Sequence, residues 1–251
     1  MNGVPGNPPR QLLFLLNDAP FFVSHRLNLA EAAVERGFAV HVAAPHDNDA
    51  RAAITQAGAT FHDVPLRRGG QNLFGEVRLC VAFFRLIRAL RPNLVHAITM
   101  KPVIYGGAAA RLAGAPAAVF SVTGLGHLFL TDTSKAKTLR RVVLALFRFA
   151  LHHPNARTIF QNVDDQRMFE HAGIVDPDDT VLLPGTGVDL TLFRPRDNGD
   201  DGPPVVLFPA RLIGEKGVRE FAAAARRLKA EGVAGRFVLA GRPDPENPSD
   251  V

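Results

Sequence analysis

The chain has 251 residues, 47% of them hydrophobic, which allows one large or two small domains with buried cores and excludes a largely disordered chain. A single cysteine, Cys80, excludes an intrachain disulfide framework or a cysteine metal site and fits a reducing compartment; its apolar surroundings predict a buried free thiol. The net charge of +5 favours anionic partners (phosphates, nucleic acid, an anionic bilayer) without choosing among them.

The opening segment holds an apolar run only from Leu12 to Leu16, closed by Asn17-Asp18, too short for a secretory leader. No stretch reaches the roughly 18 apolar residues that span a bilayer. VVLALFRFAL, the longest candidate, carries Arg148. The chain is therefore expected to be soluble and cytoplasmic, or to rest on a membrane without crossing it.

Short apolar or β-branched runs then alternate with longer helical patterns. Strands are predicted at Leu12–Leu16, Ala39–Ala44, Thr60–Val64, Asn93–Ile98, Ala117–Ser121, Thr158–Gln161 and Thr180–Leu183. Helices are predicted at Ser24–Arg36, Asp49–Ala57, Leu73–Leu90, Pro102–Ala113, Lys135–His152 and Asp164–Ala172. Such alternation implies parallel strands with crossover helices, hence an α/β, doubly wound parallel sheet of Rossmann-like type. Gly37, Gly58 and Gly114 stand where helices end, and Pro92 and Pro116 stop helices just before strands. The stretch 184–203, with Gly185, Gly187 and the run DNGDDGPP, reads as a linker between a first domain, 1–183, and the start of a second, 204–251. Beyond it come a strand Val205–Pro209, a helix from about Glu215 to Glu231 and a strand Arg236–Ala240. One and a half βαβ units do not close a domain, so the sequence is expected to be a fragment or a truncated frame.

Ligands bind open α/β sheets outside the carboxyl ends of the strands. After the first strand there is no GxGxxG, which removes most of the weight from a dinucleotide reading. Asn17, Ser24, His25 and Arg26 stand there instead. Ser24–Arg26 at a helix start would offer N–H groups and a cation to an anion; Ser24 as a plain N-cap and His25 as a surface residue is an equal reading. Lys101 before Pro102 suits a phosphate or carboxylate, against a solvated lysine. Gly106-Gly107 is read as close helix packing rather than ligand contact. Thr123, Gly124, Gly126 and His127 follow the fifth strand, where glycines let backbone approach a ligand and the two polar side chains offer contacts. Past the linker, FPARLIGEKG puts Arg211 and Lys216 at a strand-to-helix turn, where charge, donors and helix dipole together clamp a diphosphate. The arginine-rich helices 73–90 and 135–152 read mainly as packed helices with a basic face, with docking on anionic lipid as the second reading.

In order, LLFLLNDAPFFVSHRLNLAEAAVERGFAVHVAAP, VHAITMKPVIYGGAAARLAG, VFSVTGLGHLF, IFQNVDDQRMF, LLPGTGVDLTLFRP and FPARLIGEKGVREF resemble family-4 retaining glycosyltransferases of GT-B fold, in the branch acting on polyprenyl-diphosphate-linked or polysaccharide acceptors. The resemblance implies an acceptor-binding first domain and a nucleotide-sugar-binding second one. Arg211 and Lys216 would hold the donor diphosphate and stabilise the leaving group; Gly185 and Gly187 fall on the family's approach to its linker and join the substrate-binding set. It implies no metal and no cofactor beyond a nucleoside diphosphate sugar as co-substrate, a UDP-sugar first among them. It also implies a lipid-linked or polysaccharide acceptor, no nucleic acid, and work at the inner face of the cytoplasmic membrane. Many relatives carry a donor-contacting histidine where this chain reads SVTGLG, so that role would pass to backbone and Thr123. The family's paired glutamates would lie beyond residue 251, so little activity is expected of this chain alone. An inactive acceptor-binding module and a nucleotide-sugar epimerase of the same architecture are the alternatives.

Overall fold

The structure, a computed structural model, describes residues 9–66, 73–124, 134–195 and 202–244. It divides into two compact units, 1–188 and 189–251, a division that falls inside the segment 184–203.

The first unit is built on seven parallel strands: β1 (Gln11–Leu15), β2 (Ala39–Ala44), β3 (Thr60–Asp63), β4 (Leu94–Ile98), β5 (Ala118–Val122), β6 (Ala156–Phe160) and β7 (Thr180–Leu182), in the order β3-β2-β1-β4-β5-β6-β7. The connecting helices are α1 (Ala19–Glu35), α2 (Asn48–Gln56), α3 (Leu73–Leu90), α4 (Gly107–Ala113), α5 (Ser134–Leu151) and α6 (Val163–His171). Successive side chains of a strand point to opposite faces, and β1 is apolar at every position because both its faces are covered. Leu12, Phe14 and Leu16 pack with α1 and α2; Leu13 and Leu15 pack with the layer of α3 to α6. The strands and helices predicted for this unit are all present, with boundaries moved by a residue or two except at the starts of α1 and α4.

α1 starts five residues earlier than predicted. Asp18 caps it, accepting from Phe21 N–H at 2.8 Å, and Pro20 fits the first turn. The predicted helix-ending glycines do adopt left-handed backbone: φ is 80° at Gly37, 82° at Gly58 and 70° at Gly114. Between β4 and α4 the chain makes a π-helical turn, Pro102–Gly106. Gly106 and Gly107 are there for closeness: a Cβ on Gly106 would lie 2.5 Å from Leu15 Cδ1, and one on Gly107 would lie 2.9 Å from Phe120 Cε1 and 3.0 Å from Ala150 Cβ. Cys80 is half-buried rather than buried, its thiol 3.8 Å from the Tyr105 carbonyl and pushed up in pKa by burial.

In the second unit β8 (Val205–Phe208) pairs in parallel with β9 (Arg236–Leu239), and α7 (Val218–Ala230) lays Phe221 against Phe208 and Phe237, with ring centroids 5.2 and 6.2 Å apart. The predicted helix from Glu215 is broken at Gly217, whose φ of 85° ends a 3-10 turn, Gly214–Lys216, before α7 begins.

Candidate functional site

The sheet order reverses between β1 and β4, and in open α/β sheets the crevice opens where two such neighbours send their chains to opposite faces. Asn17 and Asp18 leave β1 there, Thr99 to Lys101 leave β4, and Thr123 and Gly124 leave β5. Gly126 and His127 lie outside the described residues.

Ser24, His25 and Arg26 do not form a helix start. They lie within α1, so their N–H groups are committed and the predicted anion site at that start is not formed. The start of α1 belongs instead to Asp18, whose carboxylate caps it. Ser24 Oγ donates to the Pro20 carbonyl at 3.0 Å and lies 2.7 Å from His25 Nδ1, while the His25 ring stacks on Phe21 at 4.3 Å. Arg26 alone of the three turns toward the sheet. It is half-buried, its Nε is buried without a hydrogen-bond partner, and its charge acts on His96.

His96, which the sequence reading passed over, is the buried centre of this group. It sits on β4 beside Phe14, with Nε2 2.8 Å from Ser121 Oγ on β5. Burial, with Arg26 adding to it, brings its pKa down to about 3, so it is neutral and cannot serve as a base for solvent-facing chemistry. The unfolded chain, by contrast, takes a proton near pH 6.5. Stability from this residue is therefore complete above pH 6.5 and is lost as pH falls from there toward 3; at pH 5 the loss is about 2 kcal/mol. Half-buried His41 and His62, both lowered by burial, pull the same way. Thermal melts from pH 7 to pH 5 are expected to show this slope, and His96→Gln to flatten it.

Thr99 was likewise missed, and no pattern in the sequence announces it. Its φ is 72°, a region β-branched residues avoid, and its Oγ1 is buried with no hydrogen-bond partner. Strain of this kind costs roughly 1–3 kcal/mol and collects at binding sites. Thr99→Gly is expected to raise stability by about 1 kcal/mol in chemical denaturation.

Lys101 is not a bare cation at the strand exit. Its Nζ lies 2.6 Å from Glu76 Oε1 on α3, both side chains mostly buried, and burial, with Glu76 adding to it, pushes the Tyr105 hydroxyl up to about 12. Lys101 thus ties the start of α3 to the crevice before it can meet an added anion. Thr123 is partly exposed, and Gly124 has a φ of 136°. Gly185 and Gly187, with φ of 106° and 70°, lie in an exposed stretch with open space where a Cβ would be.

In the second unit Lys216 closes the 3-10 turn, exposed, one residue before Gly217 and the start of α7. Among the described residues no side chain caps α7, so its first N–H groups lie uncapped beside Lys216. Arg211 leaves β8 on the same loop and forms an ion pair with Asp244. Glu215 and Glu220 bracket the turn. No group of three metal-ligating side chains occurs among the described residues. A shallow depression lined by His152, Asp176 and Asp179 lies at the opposite edge, where β6 begins.

Residues 11–162 match the family described as glycosyl transferase 4-like. The chain is 24% identical over 248 residues to the N,N'-diacetylbacillosaminyl-diphospho-undecaprenol alpha-1,3-N-acetylgalactosaminyltransferase of Campylobacter jejuni, covering 94% of this chain and 64% of that protein. It is 29% identical over 130 residues to the UDP-Gal:alpha-D-GlcNAc-diphosphoundecaprenol alpha-1,3-galactosyltransferase of Escherichia coli, covering 52% of this chain and 32% of that one. The chain thus spans under two thirds of the length of either. Among solved structures, Anabaena Alr3699/HepE in complex with UDP and glucose superposes with a TM-score of 0.66 at 17% identity, over 92% of this chain and 61% of that one, a likeness of fold. The match extends over most of the seven-stranded unit, so the chain belongs to the glycosyl transferase 4-like family.

Proposed function

We propose that this chain supplies the acceptor-binding domain and the donor-diphosphate turn of a retaining glycosyltransferase, moving a sugar from a nucleoside diphosphate sugar, a UDP-sugar first, to a lipid-diphosphate-linked sugar in polysaccharide or cell-envelope assembly. The observation that carries it is the turn Gly214–Lys216, with Lys216 exposed at the uncapped start of α7 and Arg211 on the same loop, in a chain of this family. The sugar–phosphate bond breaks with its electron pair on the diphosphate. The new glycosidic bond forms to an acceptor hydroxyl, on the face the diphosphate leaves, and that hydroxyl's proton passes to the departing diphosphate oxygen. Fixed positive charge and open N–H groups at the diphosphate lower this barrier. At the switch point Arg26, Thr99 and Asp18 supply the polar contacts for the acceptor. Both named relatives work on diphospho-undecaprenol-linked sugars, which supports a lipid-linked acceptor and a site of work on the inner face of the cytoplasmic membrane.

The test is transfer of radiolabel from a panel of nucleotide sugars to a short-chain polyprenyl-diphosphate sugar in detergent, with acceptor binding by the chain titrated in parallel. Label in the organic phase, with the donor's anomeric configuration kept, together with saturable acceptor binding, is the expected result. Release of an epimerised nucleotide sugar, or no acceptor binding, would overturn the reading.

A further inference from the structure

At the amino ends of β6 and β7, the edge of the sheet away from the crevice, the α5–β6 and α6–β7 connections frame a depression of about 310 Å³. That is the lower end of the range for small-molecule sites. Its floor is apolar and buried, formed by Leu151, Ala156 and Ile174. One polar group opens onto it from the sheet. Thr158 of β6 is 2% exposed and lines the depression, and its hydroxyl makes no hydrogen bond among the described residues. A buried hydroxyl left in that state costs free energy that a bound partner would return. The rim is built of acceptors: Asp176 and Asp179 on the α6–β7 side, His152 on the α5–β6 side. His152 Nδ1 lies 2.9 Å from the Arg148 carbonyl and must donate to it, which leaves Nε2 for a ligand. Asp176 Oδ1 accepts from the Asp178 N–H at 3.0 Å, and its other oxygen has no bond among the described residues. His153 offers nothing, since Nε2 lies 2.9 Å from the Ala115 carbonyl and Nδ1 3.2 Å from the Asn155 backbone nitrogen. Arg157 pairs with Asp179, and Arg148 turns to the carbonyls of Ala172 and Gly173; no lysine or arginine lines the depression.

We infer that this depression binds a small organic ammonium ion, a protonated amine on a short aliphatic chain. Its N–H groups donate to Asp176, His152 Nε2 and the Thr158 hydroxyl, while its carbon chain lies on Leu151, Ala156 and Ile174. The lining decides against the other small ligands. An anion would meet carboxylates and no cation. A metal ion needs several ligating side chains around one point, and no group of three occurs among the described residues. A neutral polyol would leave the charge of Asp176 unmatched. The site stands at the opposite end of the strands from the crevice, so it needs neither donor nor acceptor and does not rest on the transferase reading. A ligand here joins the two connections on either side of β6, and the second of them leads into β7, the last strand before the segment 184–203.

The chain is titrated calorimetrically, at constant ionic strength, with putrescine, n-butylamine, 1-butanol and magnesium chloride. Saturable binding is expected for the two amines and none for the alcohol or the metal, and Tm should rise with amine concentration. Asp176→Asn, at an exposed position, is expected to raise the amine dissociation constant about tenfold. Thr158→Val should raise it about fivefold, and Thr158→Ser, which keeps the hydroxyl, should stay within about twofold of wild type. Asp164→Asn, an exposed carboxylate in the first turn of α6 and outside the depression, should change it by less than about twofold. No saturable heat with either amine, equal binding of 1-butanol or magnesium, or an equal loss with Asp164→Asn would each overturn the inference. Sugar transfer and acceptor binding are unaffected by such a failure, which keeps it separate from failure of the transferase reading.

Discussion

Lys216→Ala is expected to lower turnover roughly 100- to 1,000-fold in a transfer-competent protein, the loss seen when one fixed donor is removed from a site of developing negative charge. The effect should fall on kcat and on nucleoside diphosphate binding and leave the acceptor KM in place, because the proposed acceptor contacts come from other strands. Folding should be untouched, since an exposed surface lysine is worth within about 0.5 kcal/mol either way. Lys216→Arg keeps the charge and should retain part of the rate. Arg211→Ala should cost less: Arg211 is already paired with Asp244 and must share itself between that carboxylate and a phosphate. Equal kcat for wild type and Lys216→Ala would remove the donor-diphosphate assignment while leaving the fold and family intact.

Phe14→Ala is expected to destabilise the first unit by about 3–5 kcal/mol, a large part of the 5–15 kcal/mol a domain usually has. Phe14 is fully buried on the central strand, with ring centroids 5.3 Å from both Phe22 and His96. Removing the ring opens a cavity below Arg26 and lets water reach His96. Its pKa should then climb from about 3 toward its ordinary range, so the variant should also show a shallower loss of stability between pH 7 and pH 5. Urea denaturation at those two pH values measures both effects. Phe14→Leu, which refills most of the space, should cost under about 1.5 kcal/mol.

The architecture was readable because its signals are periodic and redundant. LLFLL is apolar at every step, so it had to be buried on both sides, and glycines after α1, α2 and α4 marked helix ends that the backbone confirms with positive φ. The start of α1 was misread because Ser24 looked like the capping residue of the helix. Asp18 followed two residues later by Pro20 was the better signal, a cap and a residue suited to the first turn. That error displaced a whole candidate site, since N–H groups inside a helix are not available to a ligand. Lys101 was placed at the right strand exit, but a partner 25 residues earlier in the chain cannot be read from its own surroundings. His96 was visible as a polar residue inside an apolar run, although its pairing with Ser121 depends on strand order. Thr99 was invisible, because a strained φ on a β-branched residue is imposed by the fold around it and leaves no mark in composition.

The two helical layers of the seven-stranded sheet are fastened to its carboxyl edge by different means. On one side Asp18 caps α1 directly after β1; on the other, Glu76 in the first turn of α3 reaches Lys101 just beyond β4. Both side chains of that pair are mostly buried, so changing either one alone strips a largely desolvated charge of its partner at 2.6 Å, and a single exchange there should be harder to accept than a matched exchange of both.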